Sequence, residues 1–408
     1  MPAAAKTTTP MPSFLLARQP ILDRNLRLFG YELLYRVGDG EPFDADQATS
    51  RVLLEGVLHA GRDALVHHGM IFVNLTRNLL LQPELLPRGD GRVVLEVLED
   101  VEVDDRLLEA LQELKRRGYR IALDDFVWEE ERLELLEVAD LVKVELRAGP
   151  LPLEEVVRRL SARRLMLLAE KVETFSELEE CKALGFQLFQ GYFLERPRVV
   201  TGGRQPASRL SVMRLLAALQ DPEADVEKQV AVIRQDINLS YRLLRYINSA
   251  QFAFNREIRS LHEAAVILGR RNLRNWAMLL ALASIEGKPD VLITSALIRA
   301  RTVEGVVTLL GGDRAEAEMG FLAGLFSLLD AFLDRPMEKL LEELPVDRAI
   351  AVALLHGEGS IGAALEMVRI HERAAWEEVD TCELDPGEVS RLYLEAAAWA
   401  DAIQKEIA

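Results

Sequence analysis

Ile121-Ala122-Leu123-Asp124-Asp125 decides how the first half of this 408-residue chain is read. Three apolar residues of the kind that fill a buried strand end in two carboxylates. The same form, a short apolar run closed by a polar side chain, recurs on either side. It stands at Tyr31-Glu32, Ile71-Phe72-Val73-Asn74, Val93-Val94-Leu95-Glu96, Leu141-Val142-Lys143-Val144-Glu145, Leu167-Leu168-Ala169-Glu170 and Phe186-Gln187-Leu188-Phe189-Gln190. Amphipathic stretches of helical period separate most of these runs, and such a series predicts parallel strands. Strands closed into a barrel send their C-terminal ends to one mouth, where barrel enzymes keep their sites. Glu32, Asn74, Glu96, Asp124, Asp125, Lys143, Glu145, Glu170 and Gln190 are therefore expected in one place. That many carboxylates cannot sit together ionised without a cation.

The composition bounds the rest. A chain of this length has two domains as its natural prior, each large enough to bury a core. Apolar residues make up 49% and charged residues 28%, which suits a globular protein and not a disordered one. A formal charge of −17 argues against a nucleic acid polymer as partner, because phosphate backbones want a basic surface. Cys181 and Cys382 cannot make a disulfide framework or a zinc site, and the expected compartment is the cytoplasm. The six histidines include no His-Asp pair and no His-x-x-x-His. No apolar run approaches the roughly 18–20 residues that a membrane helix needs, so no membrane insertion is expected. Residues 1–12, rich in Ala, Thr and Pro, read as a disordered tail and not a signal peptide.

The chain changes character near residue 200. Before it, helices are predicted over Ala45–Ala60, Asp104–Arg117, Leu153–Ser161 and Phe175–Leu184. The second of these has Asp104-Asp105 in its first turn, Lys115-Arg116-Arg117 in its last and Gly118 just beyond, so dipole and cap agree. Residues 201–206, Thr-Gly-Gly-Arg-Gln-Pro, read as a linker. After it the pattern is helical, with a period near 3.6 over Ser208–Leu219, Glu223–Arg234, Leu239–Ile247, Leu261–Leu268, Asn272–Ile285, Val291–Leu310, Ala315–Asp330, Met337–Glu343 and Ile361–Trp376. No fixed-period repeat is present, so residues 207–408 form a bundle and not a solenoid. The fold class is thus α/β plus all-α: a TIM-like (β/α) barrel over 13–200, then a helical domain.

Asp124-Asp125 is the sharpest chemical feature. Adjacent carboxylates leaving a strand point different ways, so each can face a separate cation. Glu32, Asn74 and Glu96 add the oxygen ligands that Mg²⁺ or Mn²⁺ prefer. Two such ions clamp the attacking and leaving oxygens of a phosphodiester. Lys143 has the charge to orient a water or stabilise developing negative charge, and Glu170 suits a general base or a further ligand.

Residues 13–200 resemble the EAL domain, a barrel family that hydrolyses or senses the bacterial second messenger cyclic di-GMP. The resemblance rests on Gln19-Pro20-Ile21, Glu32-Leu33-Leu34, Val73-Asn74, Leu95-Glu96, Asp124-Asp125-Phe126, Val142-Lys143-Val144-Glu145, Ala169-Glu170-Lys171-Val172-Glu173-Thr174 and Gln190-Gly191-Tyr192. It implies one metal held by Glu32, Asn74, Glu96 and Asp124, and a second faced by Asp124, Asp125 and Glu145. It implies nucleotide contacts from Gln19, Arg36 and Gln190.

This chain departs from the family pattern at several points. After Asp-Asp-Phe, active members carry Gly-Thr-Gly, whereas Val127-Trp128-Glu129 stands here, and those side chains resist backbone shapes that Gly permits. Leu33 replaces an Ala. Glu145 replaces an Asp and moves a carboxylate by roughly 1.5 Å, one C–C bond. Lys171 replaces a Gly and brings a cation beside Glu170. Misplacement by ~1 Å can cost ~10²-fold in rate.

Residues 206–408 resemble the HDOD domain, an all-helical relative of HD hydrolases without their catalytic ligands. The stretch from Asp236-Ile237-Asn238-Leu239 to Leu268-Gly269 carries the resemblance. Where HD hydrolases place Ala-Gly-Leu-Leu-His-Asp, this chain has Ala323-Gly324-Leu325-Phe326-Ser327-Leu328, which cannot bind metal in that way. The Arg-rich run between Arg242 and Arg274 has the charge to bind an anion or an acidic partner, but solvated helix faces with ordinary ion pairs are the weightier reading. Trp276 and the apolar run after it read as core. The expected function is a bacterial signalling protein that binds cyclic di-GMP with little or no hydrolysis and relays this through the helical half to a partner protein, with a homodimer left open. The alternative is an active Mg²⁺- or Mn²⁺-dependent phosphodiesterase releasing linear pGpG.

Overall fold

The computed structural model describes residues 14–37, 69–147, 149–198, 207–221, 224–248, 258–379 and 384–407. The expected helix over Ala45–Ala60, the tail over 1–12, the linker over 201–206 and Cys382 lie outside the described residues.

Eight strands close into a barrel in sequence order: β1 (Phe14–Asp23), β2 (Leu28–Val37), β3 (Met70–Leu75), β4 (Val93–Val97), β5 (Arg120–Leu123), β6 (Leu141–Glu145), β7 (Met166–Glu170) and β8 (Leu188–Gln190). From β2 to β8 the strands pair in parallel, as the alternation predicts. One expectation needs correction. β1, which the series of runs passes over, lies antiparallel to both β2 and β8. The cause is a tight turn over residues 24–27. Asp23 accepts hydrogen bonds from the Asn25 and Arg27 amides, and Leu26 takes a positive φ of 60°. So short a turn joins only antiparallel strands. Tyr31-Glu32 therefore lies inside β2, which runs on to Val37, and does not end a strand.

Alternation along the strands builds the barrel in layers. Ile21, Phe72, Val94, Ala122, Leu141, Leu168 and Leu188 fill the interior, each at most 2% exposed. Two residues further along β3 to β8 is the next inward position, occupied by Asn74, Glu96, Asp124, Lys143, Glu170 and Gln190. On β1 the step runs backward, from Ile21 to Gln19, because that strand is reversed. On β2 the inward residue below Glu32 is Gly30. A Cβ there would lie 2.3 Å from the Met70 carbonyl oxygen, so only glycine lets β2 and β3 close. The outward residues pack beneath α1 (Arg77–Leu80), α2 (Asp105–Arg116), α3 (Leu153–Ser161) and α4 (Phe175–Leu184). α2 begins at its predicted cap, where the Asp104 side chain accepts from the Leu107 amide at 2.8 Å. α3 and α4 have the predicted limits.

The remainder is helical: α5 (Ala207–Leu219), α6 (Val226–Arg234), α7 (Ile237–Ile247), α8 (Leu261–Leu282), α9 (Asp290–Leu309), α10 (Arg314–Phe326), α11 (Leu329–Leu333), α12 (Met337–Glu343), α13 (Arg348–His356), α14 (Gly359–Glu372), α15 (Trp376–Val379) and α16 (Pro386–Ile407). The two helices expected on either side of residue 270 run together as α8, broken at Gly269 with φ 75° and ψ 160°. The expected Ala315–Asp330 helix stops at Phe326 and resumes as α11, and Ile361–Trp376 splits into α14 and α15. Helices α13 and α16 are unforeseen. Arg270 donates to the Ala224 carbonyl and Arg271 pairs with Glu318, in keeping with the reading of that basic run as ordinary helix faces. Trp276 packs against the core, with Met278 and Leu279 buried.

The helical half docks on β1, whose outward groups it satisfies. The Leu16 amide donates to Ser390 Oγ at 2.8 Å, and the His371 ring meets the Leu16 carbonyl through Nε2 at 3.0 Å. Arg18 forms a two-pronged pair with Asp401 at 2.8 and 2.7 Å. Deeper in, the buried Arg299 guanidinium binds Glu372 of α14, Glu195 of the barrel and Ser327 Oγ. Ser327 is thereby committed as a structural hydroxyl, also donating to the Gly324 carbonyl, and Leu328 is fully buried.

Candidate functional site

The inward positions at the mouth form a single charged cage. Lys143, 1% exposed, is its centre. Its Nζ lies 3.2 Å from Glu32, 2.8 Å from Glu96, 2.6 Å from Asp124 and 3.0 Å from Glu170. The Asn74 amide donates to Glu32 at 3.0 Å. Gln190 Nε2 donates to Glu32 at 2.6 Å and to Gln19 Oε1 at 2.8 Å. Register between neighbouring strands sets these side chains at one height, with Gln19 opposite Glu32 and Asn74 opposite Glu96.

One ammonium cannot neutralise four carboxylates, and their proton affinities divide accordingly. Burial pushes Glu32 up, but the charge of Lys143 and hydrogen bonds from Gln190, Lys143 and Asn74 outweigh it and hold this carboxyl below its usual value. Burial, then the charge on Glu32, drives Glu96 well above the usual range. Burial raises Asp124 against the pull of Lys143, and pushes Glu170 up to about 8. Burial alone would lower Lys143, yet its carboxylate neighbours keep it protonated.

A divalent cation fits this set. Glu32, Glu96 and Asp124 each offer an oxygen within 4.8 Å of the others, close to the about 4.2 Å that opposite ligands of Mg²⁺ span, so a small inward movement of the carboxylates would bring them to one ion. Asn74 Oδ1 and both Glu96 oxygens are buried without an aligned hydrogen-bond donor. The donors are hard oxygens, the chemistry that Mg²⁺ and Mn²⁺ take.

Asp125 and Glu145 stand outside the cage. Asp125 has φ 39°, which turns it away from Asp124. A second lysine spans the pair: Lys171 Nζ lies 2.5 Å from Glu145 Oε2 and 3.6 Å from Asp125 Oδ1. Lys171 has φ 53°, a left-handed conformation that glycine adopts freely and a side chain does not. Arg36 sits half-buried near the end of β2, four residues beyond Glu32. The loop after Phe126 is anchored by its bulky residues. Trp128 packs edge to face on Phe126 and under the Arg159 guanidinium. Sequence reasoning notes Lys171 only as a neighbour of Glu170; its span between two carboxylates depends on a turn conformation and a longer Glu145. It misses Trp376 of α15, which borders the mouth beside Asn74. Nothing local in sequence signals that placement.

A closed barrel with an acidic mouth is docked through β1 on an all-helical bundle, and these two modules define the class of protein. Residues 12–197 match the EAL domain and residues 206–333 the HDOD domain. Over 406 residues the chain is 35% identical to a cyclic di-GMP phosphodiesterase of Vibrio cholerae, CdgJ, covering 96% of this chain and 93% of the relative. It is 32% identical to an uncharacterized Bacillus subtilis protein, YuxH, over 94% of this chain and 97% of that one. Among solved structures, Klebsiella pneumoniae BlrP1 with manganese and cyclic di-GMP is 26% identical over 47% of this chain and 58% of its own, with a TM-score of 0.36. The chain belongs to the family in which an EAL domain is followed by an HDOD domain.

Proposed function

We propose that the barrel binds cyclic di-GMP at this mouth with little or no hydrolysis, and that the helical half passes occupancy on to a partner protein. Glu32, Asn74, Glu96 and Asp124 would hold one Mg²⁺ or Mn²⁺. When bound, such an ion supplies Lewis-acid polarisation of a phosphate oxygen. Gln19, Gln190 and Arg36 orient the nucleotide, Lys143 faces the phosphodiester, and Glu170 stands as the proton acceptor. The observation that carries the reading is Lys171. Its ammonium pairs with Glu145 and lies near Asp125, so it competes for the two carboxylates a second ion would need, and in-line displacement of a phosphodiester is best clamped by two ions. The β1 contacts and the Arg299 junction give the helical half a direct hold on the strand that carries Gln19.

A second reading, an active phosphodiesterase releasing pGpG, is favoured by the 35% identity to CdgJ over nearly the whole chain. Titration of cyclic di-GMP with Ca²⁺, then with Mg²⁺ or Mn²⁺ while following product, separates the two. Binding without turnover, and turnover gained in Lys171→Gly, support the first. Turnover in the unaltered chain that Glu32→Ala abolishes supports the second. No binding under any ion refutes both.

A further inference from the structure

Beside the cage, a cleft of about 320 Å³ opens between the ends of β2 and β3 and the helical half. Leu34, Tyr35, Asn74, Thr76 and Leu98 line it from the barrel, and Trp376 closes it from α15. Its volume is at the lower end of the range that holds a small ligand, roughly 300–1,000 Å³. None of the described residues that line it carries a charge. Thr76 Oγ1, buried in its wall, has no hydrogen-bond partner among the described residues. An uncharged slot with an aromatic wall and one unsatisfied hydroxyl suits a flat heterocycle with polar edges. It does not suit a phosphate. Asn74 belongs to both the slot and the cage, so a phosphodiester at the carboxylates would have its nucleoside within reach of Trp376.

We propose that Trp376 of the helical domain is a specificity-determining residue for the barrel, stacking on one purine base of the cyclic dinucleotide. This rests on the reading above that the mouth binds such a nucleotide. The indole is held in place by its own domain. It packs edge to face on His371 at 5.2 Å, after a turn in which Ala374 takes φ 52°. His371 bonds the Leu16 carbonyl and the next residue, Glu372, binds Arg299. A base in the slot thus touches the helical half directly, and the two domains share one ligand.

The test is calorimetric titration of the full chain with cyclic di-GMP in Ca²⁺. Trp376→Ala is expected to weaken binding roughly 10- to 100-fold, the loss of one stacked base, and Trp376→Phe less. Mn²⁺ binding in the absence of nucleotide stays unchanged in both. Nucleotide quenches tryptophan emission in the unaltered chain, and this change is lost in Trp376→Phe, which keeps a ring against His371. Equal affinity in Trp376→Ala, or quenching that persists in Trp376→Phe, overturns the assignment while the barrel reading stands. An unaltered chain that does not bind cyclic di-GMP overturns both.

Discussion

Replacing Lys143 with methionine tests the electrostatic reading of the cage. The ammonium is 1% exposed and lies within 3.2 Å of four carboxylates. Methionine fills similar space but leaves those carboxylates uncompensated. Breaking a buried ion pair by removing one partner costs about 3–5 kcal/mol, so the barrel loses that much stability in EDTA at pH 8. Cations then matter more to the variant than to the unaltered chain, because no tethered ammonium competes for Glu32, Glu96 and Asp124. At ~100 times its dissociation constant, Mn²⁺ returns about 2.7 kcal/mol. The pH dependence follows from the same charges. Glu96, Asp124 and Glu170 already have folded values above the unfolded ones, and losing Lys143 raises them further. Stability from such groups is present below the unfolded value, ~4, and lost as pH rises through the folded ones. The cost of the substitution is therefore smallest near pH 4 and greatest at pH 8. Urea unfolding with and without Mn²⁺ at both pH values measures it. A metal-free Lys143→Met chain as stable as the unaltered one at pH 8 refutes the cage. So does equal stabilisation of both by Mn²⁺.

The domain junction gives two further expectations. Asp401→Ala leaves Arg18, whose side chain is 4% exposed, without its two-pronged partner, and should cost about 3–5 kcal/mol. Hydrogen exchange of the Leu16 amide, which donates to Ser390, should quicken in that variant while the β5 and β6 amides keep their protection. Burial lowers His371 to about 4 from the usual 6.5, with the Leu16 carbonyl opposing. The neutral ring stabilises the fold fully above pH 6.5. That stability falls as pH drops from 6.5 toward 4, by about 3 kcal/mol at about 1.4 kcal/mol per pH unit. Unfolding followed across this interval should show the slope, and His371→Asn should flatten it.

Much of the barrel was legible because alternation is local. A strand with one buried face repeats every two residues, so an apolar run ending in Asn74, Glu96, Asp124 or Glu170 marks its own inward position without reference to its neighbours. Caps are equally local: α2 begins just after Asp104 and ends within two residues of Gly118, and α3 and α4 keep the limits that their helical period predicts. The C-terminal helix could have been found too, since Val389, Tyr393, Ala396, Ala400 and Ile403 keep helical spacing and are buried.

The residues themselves determined that polar tips would recur at strand ends and that their excess negative charge would require a cation. What the chain could not state is which cation reaches which carboxylate. Lys143 at the centre of four acids and Lys171 across Asp125 and Glu145 arise from strands far apart in sequence. The reversed β1 follows from one tight turn, and the same strand's outward groups await Ser390, His371 and Asp401 from the other end of the chain. Alternation along a strand is settled by a few bonds, whereas the approach of Trp376 to Asn74 depends on how two whole cores pack.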